Sequence, residues 1–289
     1  MKLAPICLFT YNRLNETKQT VAALQCNFLA KESDLFIFSD GGKDDISKEK
    51  VAEVRKYIKN ITGFKSIKII ASPTNKGLAN SIISGVSQII EEYEKVIVLE
   101  DDLITAPNFL DFMNQALDFY EKEASVFSIS GYTMDLPSLK TLTKDYYLGV
   151  RASSWGWGTW KNRWQDVDWE VSDSKMSLKK RFKFMQGGSD LPRMLKKQLK
   201  GKIDSWAIRW CYHQFNKNLY TIFPKESKLI SVGFNDEATH TKKTKRFITK
   251  LDITNATNFK FHKNPVVEKV LIKEFKAKFS VLNRLMDRF

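Results

Sequence analysis

Lys95-Val96-Ile97-Val98-Leu99-Glu100-Asp101-Asp102-Leu103 is the stretch whose reading decides the fold. An unbroken apolar run of this length is what a strand covered on both faces looks like, and such strands sit inside parallel sheets. The run stops at three consecutive carboxylates. Open α/β sheets place their ligands at the carboxyl ends of their strands. Strand alternation puts Glu100 and Asp102 on one side and Asp101 on the other. Three packed negative charges repel one another unless a cation or the donors of a ligand compensate them. An oxygen-only set suits a hard divalent ion, Mg2+ or Mn2+, shared with phosphate oxygens. A plainer reading exists for the same residues. Thr105-Ala106-Pro107 looks like a helix entrance, and acids just ahead of a helix interact well with its dipole.

The chain around this stretch alternates strands with helices. Ile6-Cys7-Leu8-Phe9-Thr10-Tyr11 reads as a first strand, followed by a polar turn and a helix capped by Asn15. Asp34-Leu35-Phe36-Ile37-Phe38-Ser39 reads as a second strand that ends in Asp40-Gly41-Gly42, and Ser47 reads as the cap of the next helix. Ser66-Ile67-Lys68-Ile69-Ile70 is a third strand, Asn75-Lys76-Gly77 a turn, and Leu78 to Tyr93 an amphipathic helix. The strand ending in Glu100-Asp101-Asp102 comes fourth, with a helix expected from Pro107 to Lys122. This order predicts an α/β fold, a mixed but mostly parallel sheet sandwiched by helices. Four polar clusters then fall at successive strand ends: Asn12-Arg13, Asp40-Gly41-Gly42, Asn75-Lys76-Gly77 and Glu100-Asp101-Asp102. Singly, the glycine-bearing ones are ordinary turn chemistry and Arg13 a solvated charge. The shared position at one sheet edge is what points to a ligand. Neither GxGxxG after the first strand nor GxxxxGK[ST] is present, which excludes the two commonest phosphate-binding loops.

Size and composition agree with a globular enzyme-sized chain. In 289 residues, 43% are hydrophobic and 12% aromatic, enough for a large core and against global disorder. The net charge of +14 fits phosphorylated ligands, anionic lipid surfaces or nucleic acid as partners. Three cysteines, Cys7, Cys26 and Cys211, form no CxxC pair and are expected as buried free thiols in a reducing compartment. Met1-Lys2-Leu3-Ala4-Pro5 lacks the apolar core of a signal peptide, and no uncharged run approaches a membrane span. The expectation is a cytoplasmic protein, with contact at the inner face of the cell membrane left open.

The order Phe9-Thr10-Tyr11-Asn12-Arg13, Ser39-Asp40-Gly41, Asn75-Lys76-Gly77-Leu78-Ala79, then Glu100-Asp101-Asp102-Leu103 with Pro107-Asn108-Phe109 resembles the nucleotide-sugar-binding half of GT-A glycosyltransferases of the bacterial family 2 type. The Glu-Asp-Asp-Leu form also resembles N-acetylglucosaminyltransferase I. The resemblance covers roughly the first 130 residues well and the rest more thinly. It implies a GT-A, Rossmann-like fold. It implies that Thr10, Asn12 and Arg13 lie at the nucleotide-sugar, that Asp40 hydrogen-bonds the base, most often uracil, and that Asn75 and Gly77 shape its pocket. Glu100 and Asp101 would touch ribose and donor sugar, and Asp102 would ligate Mn2+ or Mg2+ on the diphosphate. The family 2 pattern carries an arginine in the helix after the Asn-x-Gly turn; Leu78-Ala79-Asn80-Ser81 offers none.

The second half is where such enzymes hold acceptors. Val126-Phe127-Ser128-Ile129-Ser130-Gly131 reads as a strand. Ser153-Ser154-Trp155-Gly156-Trp157-Gly158-Thr159-Trp160 resembles a segment of bacterial polysaccharide glycosyltransferases. Most of these tryptophans are expected in a second core, with Trp155 or Trp157 facing the cleft to stack on a sugar. Ser172 to Leu199 is basic, either a flap over the cleft or plain surface. Asp204 precedes an aromatic amphipathic helix and is either its N-cap or, by resemblance to inverting enzymes, the general base that takes the acceptor proton. His240, in the stretch Ala238-Thr239-His240-Thr241, is by resemblance a ligand of the metal or diphosphate, or else a surface histidine. Val266 to Phe289 alternates apolar residues with cations, as in an amphipathic helix that docks on an anionic leaflet or packs on the domain.

These readings give residues 1–245 as a catalytic domain, with a donor half at 1–130 and an acceptor half at 131–245, and 246–289 as a helical extension. The implied activity is metal-dependent, inverting sugar transfer from a UDP-sugar to a glycan or lipid-linked glycan acceptor. A sugar-1-phosphate nucleotidylyltransferase is the rival enzyme class, but it calls for a glycine-rich basic loop after the first strand. A nucleic-acid-binding protein is the rival non-enzyme. Its RNP-like or zinc patterns are missing, so no nucleic-acid partner is expected.

Overall fold

A computed structural model describes residues 2–233, 246–280 and 283. The strands are β1 (Ile6–Thr10), β2 (Asp34–Ser39), β3 (Ser66–Ala71), β4 (Lys95–Glu100), β5 (Leu103–Thr105), β6 (Val126–Ser130), β7 (Tyr146–Gly149), β8 (Trp157–Trp160), β9 (Tyr220–Pro224) and β10 (Leu229–Ser231). The helices are α1 (Leu14–Gln25), α2 (Asp45–Ile58), α3 (Leu78–Tyr93), α4 (Phe109–Phe119), α5 (Lys161–Gln165), α6 (Leu178–Phe184), α7 (Leu191–Leu199), α8 (Trp206–Asn216) and α9 (Lys269–Lys278). Eight strands form one sheet in the order β3-β2-β1-β4-β8-β6-β9-β7, and β5 pairs with β10 in a separate ribbon.

The first four strands are parallel, and β1, β2 and β4 each have one apolar set for each face, while the edge strand β3 exposes Lys68. Ile6, Leu8, Leu35, Ile37, Ile97 and Leu99 join one core, under α1, α2 and α4. Cys7, Phe9, Phe36, Phe38, Val96 and Val98 join the other, under α3 and α8. Successive strand side chains point to opposite faces, so an uninterrupted apolar run can feed both cores. α1 and α2 carry the chain outward from β1 to β3 on one face. α3 returns it over the other face to β4, on the far side of β1. The strand order therefore reverses between β1 and β4, which creates a crevice at their carboxyl ends.

Several local readings change. α1 starts at Leu14, with Arg13 at the cap position and no side-chain cap, so Asn15 lies inside the first turn. α2 is capped by Asp44, and Ser47 is its reciprocal partner in a capping box rather than the cap. The helix expected from Pro107 begins at Phe109, and Leu103–Thr105 is a short strand. Trp157-Gly158-Thr159-Trp160 is β8, wedged antiparallel between β4 and β6. Its alternation sends Trp157 to one core and Trp160 to the other.

The C-terminal segment is built into the same body. Phe259 and Phe261 pack on Phe112, with ring centroids 5.1 and 5.7 Å away. Leu271, Phe275 and Phe279 of the last helical stretch are buried at 1, 6 and 3% exposure. Of the two expectations for this helix, packing on the domain holds for its apolar face. Leu282, Leu285 and Met286 lie outside the described residues. No helix among the described residues is long and apolar enough to cross a membrane. Cys7 and Cys211 are buried and Cys26 exposed, all as free thiols.

One buried ion pair ties this segment down. Lys228 bonds Asp252, which also accepts from Asn108 Nδ2 at 2.9 Å and from the Thr254 amide at 2.8 Å. Burial pushes the Asp252 carboxyl up, but the bonds from Lys228, Asn108 and Thr254 outweigh it and hold the pKa at about 2. That lies below the ordinary value of about 3.9, so the stabilisation is present above about pH 4 and is lost as pH falls towards 2. Asp252→Asn is expected to cost about 3 kcal/mol at neutral pH. In urea denaturation, the gap between variant and wild type should narrow as the pH drops through that window.

Candidate active site

The crevice between β1 and β4 is closed by an ion-pair network. Arg13, at the turn after β1, reaches across to the turn after β4. Its Nη2 meets Asp101 Oδ1 at 2.5 Å and its Nη1 meets Asp102 Oδ2 at 3.2 Å. The Tyr11 amide donates to the other Asp101 oxygen at 3.2 Å. β4 ends at Glu100, and Asp101 and Asp102 form a turn rather than continuing the strand. The expected alternation is therefore wrong: Asp101 and Asp102 both face Arg13 instead of pointing to opposite sides.

The electrostatics follow from three acids sharing one guanidinium. Burial, then repulsion from Asp102 and Asp101, pushes the Glu100 carboxyl up to about 8. Burial pushes Asp101 up to about 6 against the pull of Arg13. Burial disfavours the Arg13 charge, yet the two aspartates hold its pKa above the usual range. The cluster is short of positive charge. Among the described residues no three His, Cys, Asp or Glu side chains gather so as to cage a metal by themselves.

β10 brings a second piece of chain to Asp102. The Val232 amide donates to the Asp102 carbonyl at 2.9 Å. A Cβ on Gly233 would collide with the Asp102 carboxylate, so only glycine lets the backbone pass so close. His240, farther along, lies outside the described residues.

The second cluster sits at the ends of β2 and β3. Asp40 Oδ1 accepts from the Gly41 and Lys76 amides, both at 2.9 Å. Oδ2 accepts from the Gly77 amide at 3.0 Å and from Asn75 Nδ2 at 3.3 Å. Four donors use the roughly four lone-pair sites of a carboxylate. Asn75 Nδ2 also donates to the Gly41 carbonyl at 2.8 Å. Asp40 and Asn75 thus latch two loops together, and the Asp40 carboxylate has no free acceptor for a base. Gly77 starts α3 at φ 76, a left-handed value that favours glycine, and the space beyond its missing Cβ is open. Arg55 of α2 was not singled out from the sequence. Its Nη2 donates to the Ser39, Asp40 and Ser72 carbonyls at 3.2, 3.2 and 2.6 Å. An arginine on an amphipathic helix carries no sequence signal for such a job.

Other expected residues fall as follows. Thr10 is buried and its hydroxyl donates to the Phe38 carbonyl at 3.3 Å, so it faces β2 rather than the crevice. Asn12 is half-buried in the turn between β1 and α1. Trp157 is 1% exposed and packed among Trp164, Trp206 and Trp210 at 5.1–5.5 Å, so it does not face a cleft. Trp155 is half-buried, edge-on to Tyr132 at 4.7 Å and Phe247 at 5.3 Å. Asp204 is not the cap of α8: Ser205 is, accepting from the Ile208 amide at 3.4 Å. Asp204 keeps 57% side-chain exposure and pairs with Arg209 at 2.8 Å. α8 leads directly into β9, which runs parallel to β6, so α8 starts at the sheet edge where β6 and β9 end. β4 ends at that same edge, because β8 is antiparallel to both β4 and β6. Asp204 and the Glu100–Asp102 cluster therefore share one edge.

A mostly parallel sheet with an acidic crevice at its switch point is the GT-A arrangement. The chain belongs to glycosyl transferase family 2, whose model matches residues 6–186. No curated protein matches the chain. Among solved structures it is similar to a Pyrobaculum calidifontis mannosyltransferase in complex with GDP-Man and Mn2+, at 8% identity and a TM-score of 0.40, over 56% of this chain and 46% of that one. It is similar to S. aureus TarS at 15% identity and a TM-score of 0.39, over 62% and 33%. It is also similar to a UDP-glucose pyrophosphorylase complexed with UDP-glucose, at 13% identity and a TM-score of 0.35, over 77% and 90%. The chain thus spans less than half of the first two.

Removing Arg13 leaves Asp101 buried beside two other acids. Arg13→Ala is expected to lower stability by about 3 kcal/mol, and Arg13→Lys to recover only part of it, because an ammonium cannot bridge two carboxylates as a planar fork does. Urea denaturation of the three proteins checks the order.

Proposed function

We propose that this chain is an inverting glycosyltransferase that moves a sugar from a nucleotide-diphospho-sugar to a hydroxyl of a glycan acceptor. The observation that carries the reading is the Arg13–Asp101–Asp102 network at the switch point, an under-neutralised acidic crevice in a family 2 sheet. The donor half is residues 1–130, and the acceptor half is residues 131–245. We take the donor as a UDP-sugar from the motif order around Asp40. With its oxygens occupied, Asp40 serves by holding the loop against which the base lies, and the open side of Gly77 leaves room there.

The donor set fits a hard cation on one term. Asp102 is partly exposed, and Mg2+ or Mn2+ needs only one or two carboxylates when a diphosphate supplies further oxygens. Held by Asp102 and those oxygens, the ion would offset the charge of the leaving diphosphate. His240 is our proposal for a further ligand of that group. Glu100 and Asp101 bound the ribose and donor-sugar side.

Asp204 takes the proton of the acceptor hydroxyl as its oxygen bonds to the anomeric carbon. The bond from that carbon to the donor phosphate oxygen breaks, and the diphosphate leaves with the electron pair. Exposure of the Asp204 carboxylate and its place at the common edge support this role. Trp155, half-buried beside Tyr132 and Phe247, is the residue we assign to the acceptor. Family membership supports sugar transfer over nucleotidylyl transfer, and a pyrophosphate-release assay reads the latter directly.

Asp204→Asn is expected to lower the rate of donor turnover about 100-fold or more while UDP binding is unchanged. Coupled UDP-release kinetics on a panel of UDP-sugars, with calorimetric titration of UDP, checks both halves. Full activity in the variant would remove Asp204 as the base.

A further inference from the structure

The carboxyl edge leaves most of the positive charge unused. Between Asp173 and Lys202 the chain carries ten cationic side chains against two acids, more than half of its net +14. Both acids are engaged: Asp173 with Lys180 at 3.4 Å and Asp190 with Arg151 at 2.9 Å. This segment forms α6 and α7 on the outer side of α8.

α6 carries apolar residues on its outward side as well as its inward one. Phe184 is its inward residue, 2% exposed, with ring centroids 5.4 Å from Tyr212 and 4.8 Å from Phe215 of α8. Two positions along a helix lie about 200° apart, so Phe182 faces away from the domain. Leu178, one turn earlier, shares that outward side. They are 73% (Leu178) and 64% (Phe182) exposed. Lys179, Arg181 and Lys183 flank them, all exposed. On α7, Leu191 and Leu195 are buried, while Arg193, Lys196, Lys197 and Lys200 line one exposed stripe at helical spacing. α7 leads to the start of α8, where Gln198 accepts from the Ser205 amide at 2.7 Å, next to Asp204.

We propose that the α6–α7 surface docks the protein on an anionic lipid bilayer. Leu178 and Phe182 enter the boundary between headgroups and acyl chains, and the lysines and arginines around them meet lipid phosphates. Two outward apolar side chains set in a cationic field fit that boundary. A nucleic acid would call for a row of stacking rings, and Leu178 has none to offer. The same stripe ends beside Asp204, so a docked protein would present its acceptor side to a membrane-borne glycan. The surface contact itself does not depend on the donor reading, because vesicle binding is measured without nucleotide.

The test is co-sedimentation of the full chain with vesicles of phosphatidylglycerol and phosphatidylcholine in equal parts, and with phosphatidylcholine alone. Binding to the anionic vesicles should be at least about ten-fold tighter. Leu178→Ser combined with Phe182→Ser should lower that binding about ten-fold with an unchanged melting temperature. Lys269→Glu combined with Lys273→Glu, on the exposed side of α9, should leave it unchanged. Three results would each overturn the proposal: no binding of the wild type to anionic vesicles, undiminished binding of the serine pair, or loss of binding only in the α9 variant. So would light scattering that finds a dimer dissolved by the serine pair, since a second copy would then cover the face.

Discussion

The ion pairs from Arg13 to Asp101 and Asp102 join the two strands on which the site depends. β1 and β4 are neighbours only because α3 crosses back over the sheet, so their carboxyl ends belong to parts of the chain almost ninety residues apart. Three acids at one strand end would repel strongly in a partly buried crevice. One planar guanidinium that reaches two of them lets the cluster persist. It does not balance them: burial first, and then repulsion from the neighbouring acids, pushes the Glu100 and Asp101 carboxyls up. A site left with excess negative charge favours a ligand that brings cations with it.

The rest of the edge is held by backbone-directed bonds. Asp40 and Asn75 fasten the loop after β2 to the loop before α3, and Arg55 fastens the same two strand ends from below through three carbonyls. These contacts spend charged side chains on loop geometry. That is an expensive use unless the loops must keep one shape, and a base-binding wall has that requirement.

The first hundred residues were legible because β1, β2 and β4 are apolar on both faces and each ends in a polar cluster. Ile6–Thr10 and Asp34–Ser39 emerge within a residue of the expected bounds, and Lys95–Glu100 stops two residues short of the expected Asp102. What sequence could not show was partnership. Nothing in Asp40-Gly41-Gly42 reveals that its carboxylate would be consumed by Lys76 and Gly77, and nothing in three adjacent acids reveals that the strand stops at the first. β7, β8 and β9 were hidden for another reason. They are four or five residues long, and the tryptophan run, expected mostly in a second core, gave no sign that its alternation serves two cores. Trp157 lost its expected role to burial. Asp204 lost only its rival reading, because Ser205 took the cap.

The central claim is that the Arg13–Asp101–Asp102 crevice receives the diphosphate of a nucleotide donor. The most direct measurement is thermal denaturation with UDP, GDP, dTDP and CMP, each with and without Mn2+, on the wild type and on Asp102→Ala. A ligand selective for the folded state raises the melting temperature. The account predicts a rise with UDP that needs the metal and disappears in Asp102→Ala. A metal-dependent rise that survives intact in Asp102→Ala would contradict it.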